Sequence, residues 1–100
     1  MTKIVLTENA QNNIAGIIKY IAEDNPIRAK SFVKELLQKS SDTITAFPLS
    51  CPLYNRDLNI RRFVYQRYNV YYRFEQQQDT AYILYVFNSA KESNYLLKDN

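Results

Sequence analysis

Arginine and tyrosine are the residues of this sequence best suited to chemistry, and they are concentrated in one stretch. Five of the six arginines and seven of the nine tyrosines lie between Leu53 and Tyr85. From Leu53 to Arg73 there is no lysine and one acidic residue, Asp57. Guanidinium groups bind phosphate in a bidentate manner, and tyrosine rings stack on bases or pack against protein. The stretch is therefore predicted to contact RNA or a groove of a partner protein.

Composition excludes several kinds of catalytic site. The sequence has no histidine, so Ser-His-Asp and Cys-His nucleophiles and histidine metal ligands are absent. One cysteine and scattered carboxylates do not supply the ligand sets of zinc or calcium, and one glycine cannot build a phosphate-binding loop. We therefore predict no metal and no cofactor. Cys51 is predicted to be a buried, unreactive loop residue.

Length and hydropathy indicate one domain outside the membrane. The chain has 100 residues, enough for one hydrophobic core but not for two, so residues 1–100 are predicted to form a single domain. Its start, MTKIVLT, has too few consecutive apolar residues to form the core of a signal peptide. The sequence also contains no run of about 18 apolar residues, the length needed to span a membrane. The lone cysteine fits a reducing compartment, and we expect a cytoplasmic location.

The first quarter of the sequence predicts a short strand followed by a helix. Residues 3–6 are β-prone, and Thr7 is a suitable N-cap for a helix that runs to about Asp24. The only glycine, Gly16, lies inside this helix and is predicted to mark the close approach of another backbone. The predicted core stripe of the helix consists of Ile14, Ile17, Ile18 and Ile21.

A second helix and a loop follow. Asn25 and Pro26 give an N-cap and a proline at the first helical position, and the helix continues toward Ile44. The short connection predicts that the two helices pack as a hairpin. The segment 47–53 (FPLSCPL) has two prolines and must be a loop. The predicted core stripe consists of Ala29, Phe32, Val33, Leu36, Leu37 and Ser40.

The remaining sequence predicts three strands, at Ile60–Gln66, Tyr68–Gln76 and Thr80–Asn88. The predicted fold is α+β with the order β-α-α-β-β-β, a helical hairpin packed on one face of a mainly antiparallel four-stranded sheet. The pairing direction of the first strand is left open, and the other face of the sheet is expected to be uncovered without a partner. Residues 89–100 are predicted to be a C-terminal tail or a short helix.

Strand alternation divides the arginines between the two faces of this sheet. Arg61 is predicted to share a face with Phe63 and Tyr65, whereas Arg62 faces the other way. In the next strand, Tyr68, Val70, Tyr72 and Phe74 are predicted to oppose Asn69, Tyr71, Arg73 and Glu75.

The order and spacing of these segments resemble the RelE/ParE superfamily, the toxins of bacterial type II toxin–antitoxin pairs. The resemblance covers nearly the whole chain and rests on TENA after the first strand, YIAEDNP, RAKSFVKEL, the FP loop, IRRFVYQRYNVYYRF and YILYVFNSAKES. It implies a toxin with a role in plasmid stabilisation. It also implies neutralisation by a cognate antitoxin, which wraps an extended or helical segment over the toxin.

Two activities occur within the superfamily. RelE-like members cut messenger RNA on the ribosome without a metal, and ParE-like members inhibit DNA gyrase without being enzymes. Where RelE-like nucleases tend to place a catalytic arginine, this sequence has Asn69, and near the end of the last strand it has Asn88 in place of histidine or arginine. A metal-free ribonuclease also needs a proton acceptor, and an unperturbed tyrosine, with a pKa of about 10, is a poor one.

The resemblance therefore favours a ParE-like gyrase inhibitor, with a RelE-like ribosome-dependent mRNA endonuclease as the alternative. A decayed toxin that only binds its antitoxin is a third possibility. Binding to the target or the antitoxin is predicted for Arg56, Arg61, Arg62, Arg67, Tyr68, Tyr71, Arg73 and Lys91. If the chain is a nuclease, the candidate catalytic residues are Arg61, Arg67, Arg73 and Lys91.

Overall fold

The fold consists of two helices and a five-stranded sheet, seen in a computed structural model that describes residues 2–90. The sheet has the strand order β1-β5-β4-β3-β2. Within the described residues, neither helix has the length and apolarity needed to cross a membrane. The helices are α1 (Glu8–Ala22) and α2 (Pro26–Ala46), and the strands are β1 (Lys3–Leu6), β2 (Leu53–Asn55), β3 (Ile60–Tyr65), β4 (Tyr68–Glu75) and β5 (Thr80–Asn88).

Both helices begin at the predicted caps. The Thr7 hydroxyl accepts a hydrogen bond from the Ala10 amide at 3.2 Å, and the Asn25 side chain accepts one from the Arg28 amide at 3.0 Å. These bonds satisfy amides that have no partner inside the helix. The first helix ends at Ala22, two residues before the predicted end.

The predicted α+β fold is confirmed, with one strand more than expected. Residues 53–55, for which no strand was predicted, form β2 and pair antiparallel with β3. Three residues between a proline and a turn carry too little periodicity to predict a strand. β1 pairs in parallel with β5, which settles the direction left open by the sequence. The predicted tail from residue 91 onward lies outside the described residues.

Two strands end earlier than predicted because of local backbone geometry. β3 stops at Tyr65 because Gln66 adopts a positive φ of 53°, which starts the turn into β4. β4 stops at Glu75 because the next three residues form a short 3₁₀ helix. That helix closes at Asp79, with φ of 47°, and β5 follows. Left-handed backbone at a non-glycine residue is typical of a tight turn.

The core lies between the helical hairpin and one face of the sheet. The isoleucine stripe of α1 and the apolar stripe of α2 pack there, as predicted. The sheet contributes the β4 residues predicted to share a face, and Cys51 in the loop after α2 is buried against them. The fully buried side chains of this core include Leu36, Ile44, Val70, Tyr72, Ile83 and Val86.

Gly16 does not mark a close backbone approach, and this prediction is wrong. A Cβ atom at this exposed position would meet no atom within 4 Å. Alanine at a helix interior is more favourable than glycine by up to about 1 kcal/mol. We expect Gly16→Ala to raise the melting temperature by roughly 4–8 °C in a thermal unfolding experiment. An unchanged or lower melting temperature would show that α1 needs a glycine here.

Candidate functional site

The face of the sheet away from the helices carries a group of arginine and aromatic side chains. On this face, Arg62 lies opposite Tyr71 across the β3–β4 pair, and Arg73 lies opposite Tyr82 across the β4–β5 pair. We call it the outer face. Its arginine, aromatic and amide members are Tyr54, Arg62, Asn69, Tyr71, Arg73, Tyr82, Tyr85 and Phe87, and Val64 and the acidic Glu75 lie on the same face.

Aromatic rings on the outer face form a continuous layer across β2, β4 and β5. The centroids of the Tyr54 and Tyr71 rings are 4.7 Å apart in an edge-to-face arrangement. Tyr71 also contacts Phe87 at 6.5 Å, and Phe87 stacks on Tyr85 at 5.4 Å. The Arg62 guanidinium lies 5.6 Å from the Tyr54 ring centroid. An arginine that packs its aliphatic stem against an aromatic ring keeps its charged group at the surface.

Arg61 lies on the opposite face and holds the loop after α2. One nitrogen of its guanidinium donates to the Cys51 carbonyl at 2.7 Å and to the Leu49 carbonyl at 3.1 Å. The Tyr72 hydroxyl donates to the Pro48 carbonyl at 2.8 Å on the same side of the sheet. Burial raises the pKa of Tyr72 well above its ordinary value of 10.0, so its hydroxyl stays a donor. The predicted contact residue Arg61 therefore has a structural role in this chain.

The other predicted arginines lie at separate points. Arg56 is exposed in the β2–β3 turn, and Arg73 donates from Nε to the Leu58 carbonyl of that turn at 2.9 Å. Arg67 is exposed in the β3–β4 turn, and its carbonyl accepts a hydrogen bond from the Ser89 amide. Arg62 lies three residues before the end of β3, about 10 Å along the strand, and Arg67 lies in the turn beyond that end. Arg56, Arg62 and Arg73 lie at one end of the sheet, and Arg67 lies at the other.

Two predicted contact residues are buried. Tyr68 is 7% exposed and packs in the core, where its ring lies 5.3 Å from that of Phe32. Tyr71 is 1% exposed and forms the middle of the aromatic layer. Neither ring belongs to the accessible surface of the structure. Lys91, the last predicted residue, lies outside the described residues.

The two asparagines singled out by the sequence occupy different environments. Asn69 is 4% exposed on the outer face, opposite Phe87. Asn88 ends β5, and its side-chain oxygen accepts a hydrogen bond from the Ala90 amide at 2.9 Å. An amide side chain that bonds the backbone two residues on is typical of a turn.

A charged cluster between α2 and β3 was missed by the sequence analysis. The Arg28 guanidinium donates to Glu35 Oε2 at 2.6 Å, and the Tyr65 hydroxyl donates to Glu35 Oε1 at 3.1 Å. Arg28 also lies 5.3 Å from the ring centroid of Phe32, which itself contacts Tyr65. Arg28 and Glu35 are seven residues apart on one helix, so their spacing placed them on one face. Their link to a tyrosine 30 residues away could not be seen in the sequence.

The hydrogen bonds of this cluster stabilise one protonation state of Glu35 and one of Tyr65. The hydrogen bond from Arg28 and then that from Tyr65 hold the pKa of the Glu35 carboxyl below its usual value. Burial and the Glu35 carboxylate raise the pKa of the Tyr65 hydroxyl. At neutral pH the carboxylate is therefore charged and the phenol protonated. A carboxyl group that accepts protons near pH 7 needs a raised pKa, and a tyrosine that donates them needs a lowered pKa. Both shifts in this cluster are in the opposite direction.

The lowered pKa of Glu35 predicts a pH-dependent stability. Because the folded state favours the carboxylate, its contribution is present above the unfolded pKa, near 4.5, and is lost as the pH falls through the folded pKa. We expect Glu35→Gln to be less stable than the parent at pH 7 and equally stable well below pH 4.5. Urea unfolding of the parent and of Glu35→Gln at a series of pH values measures the difference in their stability. A difference that persists unchanged in acid would exclude the ionised carboxylate as its cause.

Comparisons with known proteins agree with this fold. The family model described as "ParE toxin of type II toxin-antitoxin system, parDE" matches residues 4–92. A chain from the chromosomal ParDE system of P. aeruginosa has a TM-score of 0.73 at 13% identity, over 88% of this chain and 96% of that one. A chain from the RelBE2 toxin–antitoxin complex of Mycobacterium tuberculosis has a TM-score of 0.67 at 17% identity, over 87% and 96%. No curated protein sequence matches.

Proposed function

Because this chain belongs to the ParE toxin family of type II toxin–antitoxin systems, we propose that it inhibits DNA gyrase and is neutralised by a cognate antitoxin. The family match extends over residues 4–92, which includes both helices, strands β2 to β5 and all of β1 except Lys3. Both solved structures of similar fold come from toxin–antitoxin systems, which supports an antitoxin as partner. Gyrase as the target implies a cytoplasmic location.

The arrangement of the outer face is the observation that carries the gyrase proposal. Arg62 and Arg73 present cations beside a packed aromatic layer, which suits a protein or nucleic-acid surface. The pKa shifts of three side chains favour the protonation state that each already has at neutral pH. These side chains are Glu35, Tyr65 and Tyr72. The described residues thus supply cations for binding and lack a matched proton-transfer pair.

The alternative, an mRNA endonuclease, draws support from the fold shared with the RelBE2 complex. That reaction needs a base, an acid and a cation around one phosphate. Of the candidate catalytic residues, Arg61 is bound to two carbonyls on the helix side, Arg73 lies on the outer face and Arg67 lies in the far turn. These three side chains do not converge on one phosphate in the described structure, so we place the nuclease second.

Expression of the chain in bacteria separates the three functional hypotheses. We expect growth arrest with relaxed plasmid DNA, relieved by co-expression of the antitoxin encoded in the neighbouring reading frame. Growth arrest with normally supercoiled plasmid and mRNA cut at ribosome-bound codons would overturn the proposal in favour of the nuclease. Normal growth at a verified level of folded protein would leave only the decayed toxin that binds its antitoxin.

A further inference from the structure

Two arginines are diagonal neighbours on the outer face. Arg62 lies opposite Tyr71 in the β3–β4 pair, and Arg73 lies two residues farther along β4 on the same face. Residues in this diagonal relation are about 7–8 Å apart, which is within reach of long side chains. Like charges at neighbouring positions of a sheet repel each other and lower its stability. An anion bound between the two guanidinium groups would remove this repulsion.

The surrounding residues orient both side chains. The Arg62 guanidinium lies 5.6 Å from the ring centroid of Tyr54, and Arg73 donates from Nε to the Leu58 carbonyl at 2.9 Å. The bond to Leu58 uses one nitrogen of Arg73, so both terminal nitrogens remain available as donors to a ligand. Side chains that are already ordered lose less conformational entropy when a ligand binds. The two guanidinium groups are therefore preorganised at the protein surface.

Acidic residues lie near these two arginines but do not pair with them. Glu75 follows Arg73 by two residues on the same face, and Asp57 is exposed in the β2–β3 turn. Within the described residues, neither arginine of the outer face forms an ion pair with a carboxylate, in contrast to Arg28, which is paired with Glu35. The repulsion between the two outer-face cations is therefore not offset by an ion pair inside the described structure.

The arrangement of the two cations suits a phosphate group. A guanidinium donates two parallel N–H bonds to the oxygens of a phosphate or a carboxylate. One such fork matches the two oxygens of a planar carboxylate. A phosphate is tetrahedral, so its oxygens point in several directions and can accept from two arginines on neighbouring strands. Two adjacent guanidinium groups therefore favour a phosphate over a carboxylate.

We propose that Arg62 and Arg73 form a phosphate-binding site, which contacts the backbone of the duplex DNA on which gyrase acts. The choice of DNA as the source of the phosphate rests on the proposed function. Two arginines neutralise few phosphates, so the toxin alone binds duplex DNA weakly and with a small salt dependence. Contacts between the toxin and gyrase add to this binding when all three are assembled.

Fluorescence anisotropy of a short fluorescein-labelled DNA duplex, titrated with toxin at low salt and without gyrase, tests this site. We expect the double variant Arg62→Gln/Arg73→Gln to bind at least about tenfold more weakly, because it loses hydrogen bonds from two charged donors. Each single variant should lower the slope of log affinity against log salt by about 0.9, the value for one phosphate contact.

Arg67 provides the matched control for the loss of charge. Arg67→Gln removes one positive charge at the other end of the sheet, so we expect the salt slope to stay as in the parent. Thermal unfolding verifies that each variant is folded.

Glu75→Gln tests the site in the opposite direction. This change removes the negative charge two residues from Arg73, and we expect it to strengthen binding of the duplex about twofold. A gain of affinity cannot arise from a failure to fold. Weaker binding by the folded Glu75→Gln variant would count against a phosphate at this position.

Other ligands of the two arginines give distinct results. A salt slope that falls equally in Arg67→Gln would overturn the proposal, because it would show a general attraction to net charge. Tighter binding of single-stranded RNA than of the duplex, lost in the double variant, would assign the arginines to RNA. Stronger competition by a glutamate-rich peptide than by inorganic phosphate would assign them to carboxylates.

The DNA titration is independent of the gyrase assay. An unchanged affinity of the double variant for the duplex would overturn the phosphate site even if the toxin inhibits gyrase. Loss of duplex binding in the double variant would support the site even if gyrase is unaffected, and only the assignment of the DNA to gyrase would then fail.

Discussion

Replacing Arg62 with glutamate is expected to weaken inhibition of DNA gyrase at least about thirtyfold, because a repulsive charge replaces a cation on the outer face. Loss of one partner of a charge pair that is buried and hydrogen-bonded in an interface costs about 2–5 kcal/mol, and about 2 kcal/mol corresponds to about thirtyfold. The fold should tolerate the change. The contact between Arg62 and the Tyr54 ring is worth only about 0.5–1 kcal/mol at an exposed site. A supercoiling assay over a range of toxin concentrations measures the inhibition.

Two controls make this prediction specific. Arg62→Lys keeps the charge but loses the planar, bidentate guanidinium, so we expect an intermediate effect. Arg67→Glu makes the same charge reversal in the turn at the other end of the sheet and should have a smaller effect. Equal inhibition by Arg62→Glu and the parent would show that the target does not contact Arg62.

Replacing Arg61 with alanine is expected to lower stability by about 2 kcal/mol, although the sequence suggested a contact residue. The change removes the donor to the Leu49 and Cys51 carbonyls, and hydrogen bonds from a charged group contribute about 1.5–3 kcal/mol. For a domain of this size the melting temperature should fall by roughly 10 °C. Thermal unfolding followed by circular dichroism measures the change.

The exposed Arg56 provides the matched control for Arg61. We expect Arg56→Ala to shift the melting temperature by no more than about 4 °C, because a surface substitution usually changes stability by less than about 0.5 kcal/mol. Equal melting temperatures for Arg61→Ala and the parent would mean that these carbonyl contacts do not hold the loop.

The elements of this fold were predictable because their signals are local. The Thr7 and Asn25 caps, the Pro26 start and the apolar stripes each depend on residues within a few positions of one another. The parallel pairing of β1 with β5 connects residues more than 70 positions apart, and nothing in the sequence near Lys3 specifies it. The strand at residues 53–55 exists only because β3 lies beside it.

The candidate site was predictable in its composition and less so in its geometry. The alternation of side chains along a strand correctly placed Arg61 and Arg62 on opposite faces of the sheet. It could not show that the Arg61 guanidinium would donate to the carbonyls of a loop. Tyr71 was assigned to the correct face, but its burial depends on Tyr54 from a strand that was not predicted. That Gly16 approaches no other backbone also needed the tertiary structure, because the sequence shows a missing side chain without showing what lies beside it.

Purified gyrase, a supercoiled plasmid and the purified toxin give the most direct test of the gyrase proposal. With ATP present and the reaction stopped by detergent and protease, we expect linear and nicked plasmid to accumulate with toxin concentration. The cognate antitoxin should prevent the accumulation. A plasmid that stays supercoiled and uncut at saturating concentrations of folded toxin would contradict gyrase as the target.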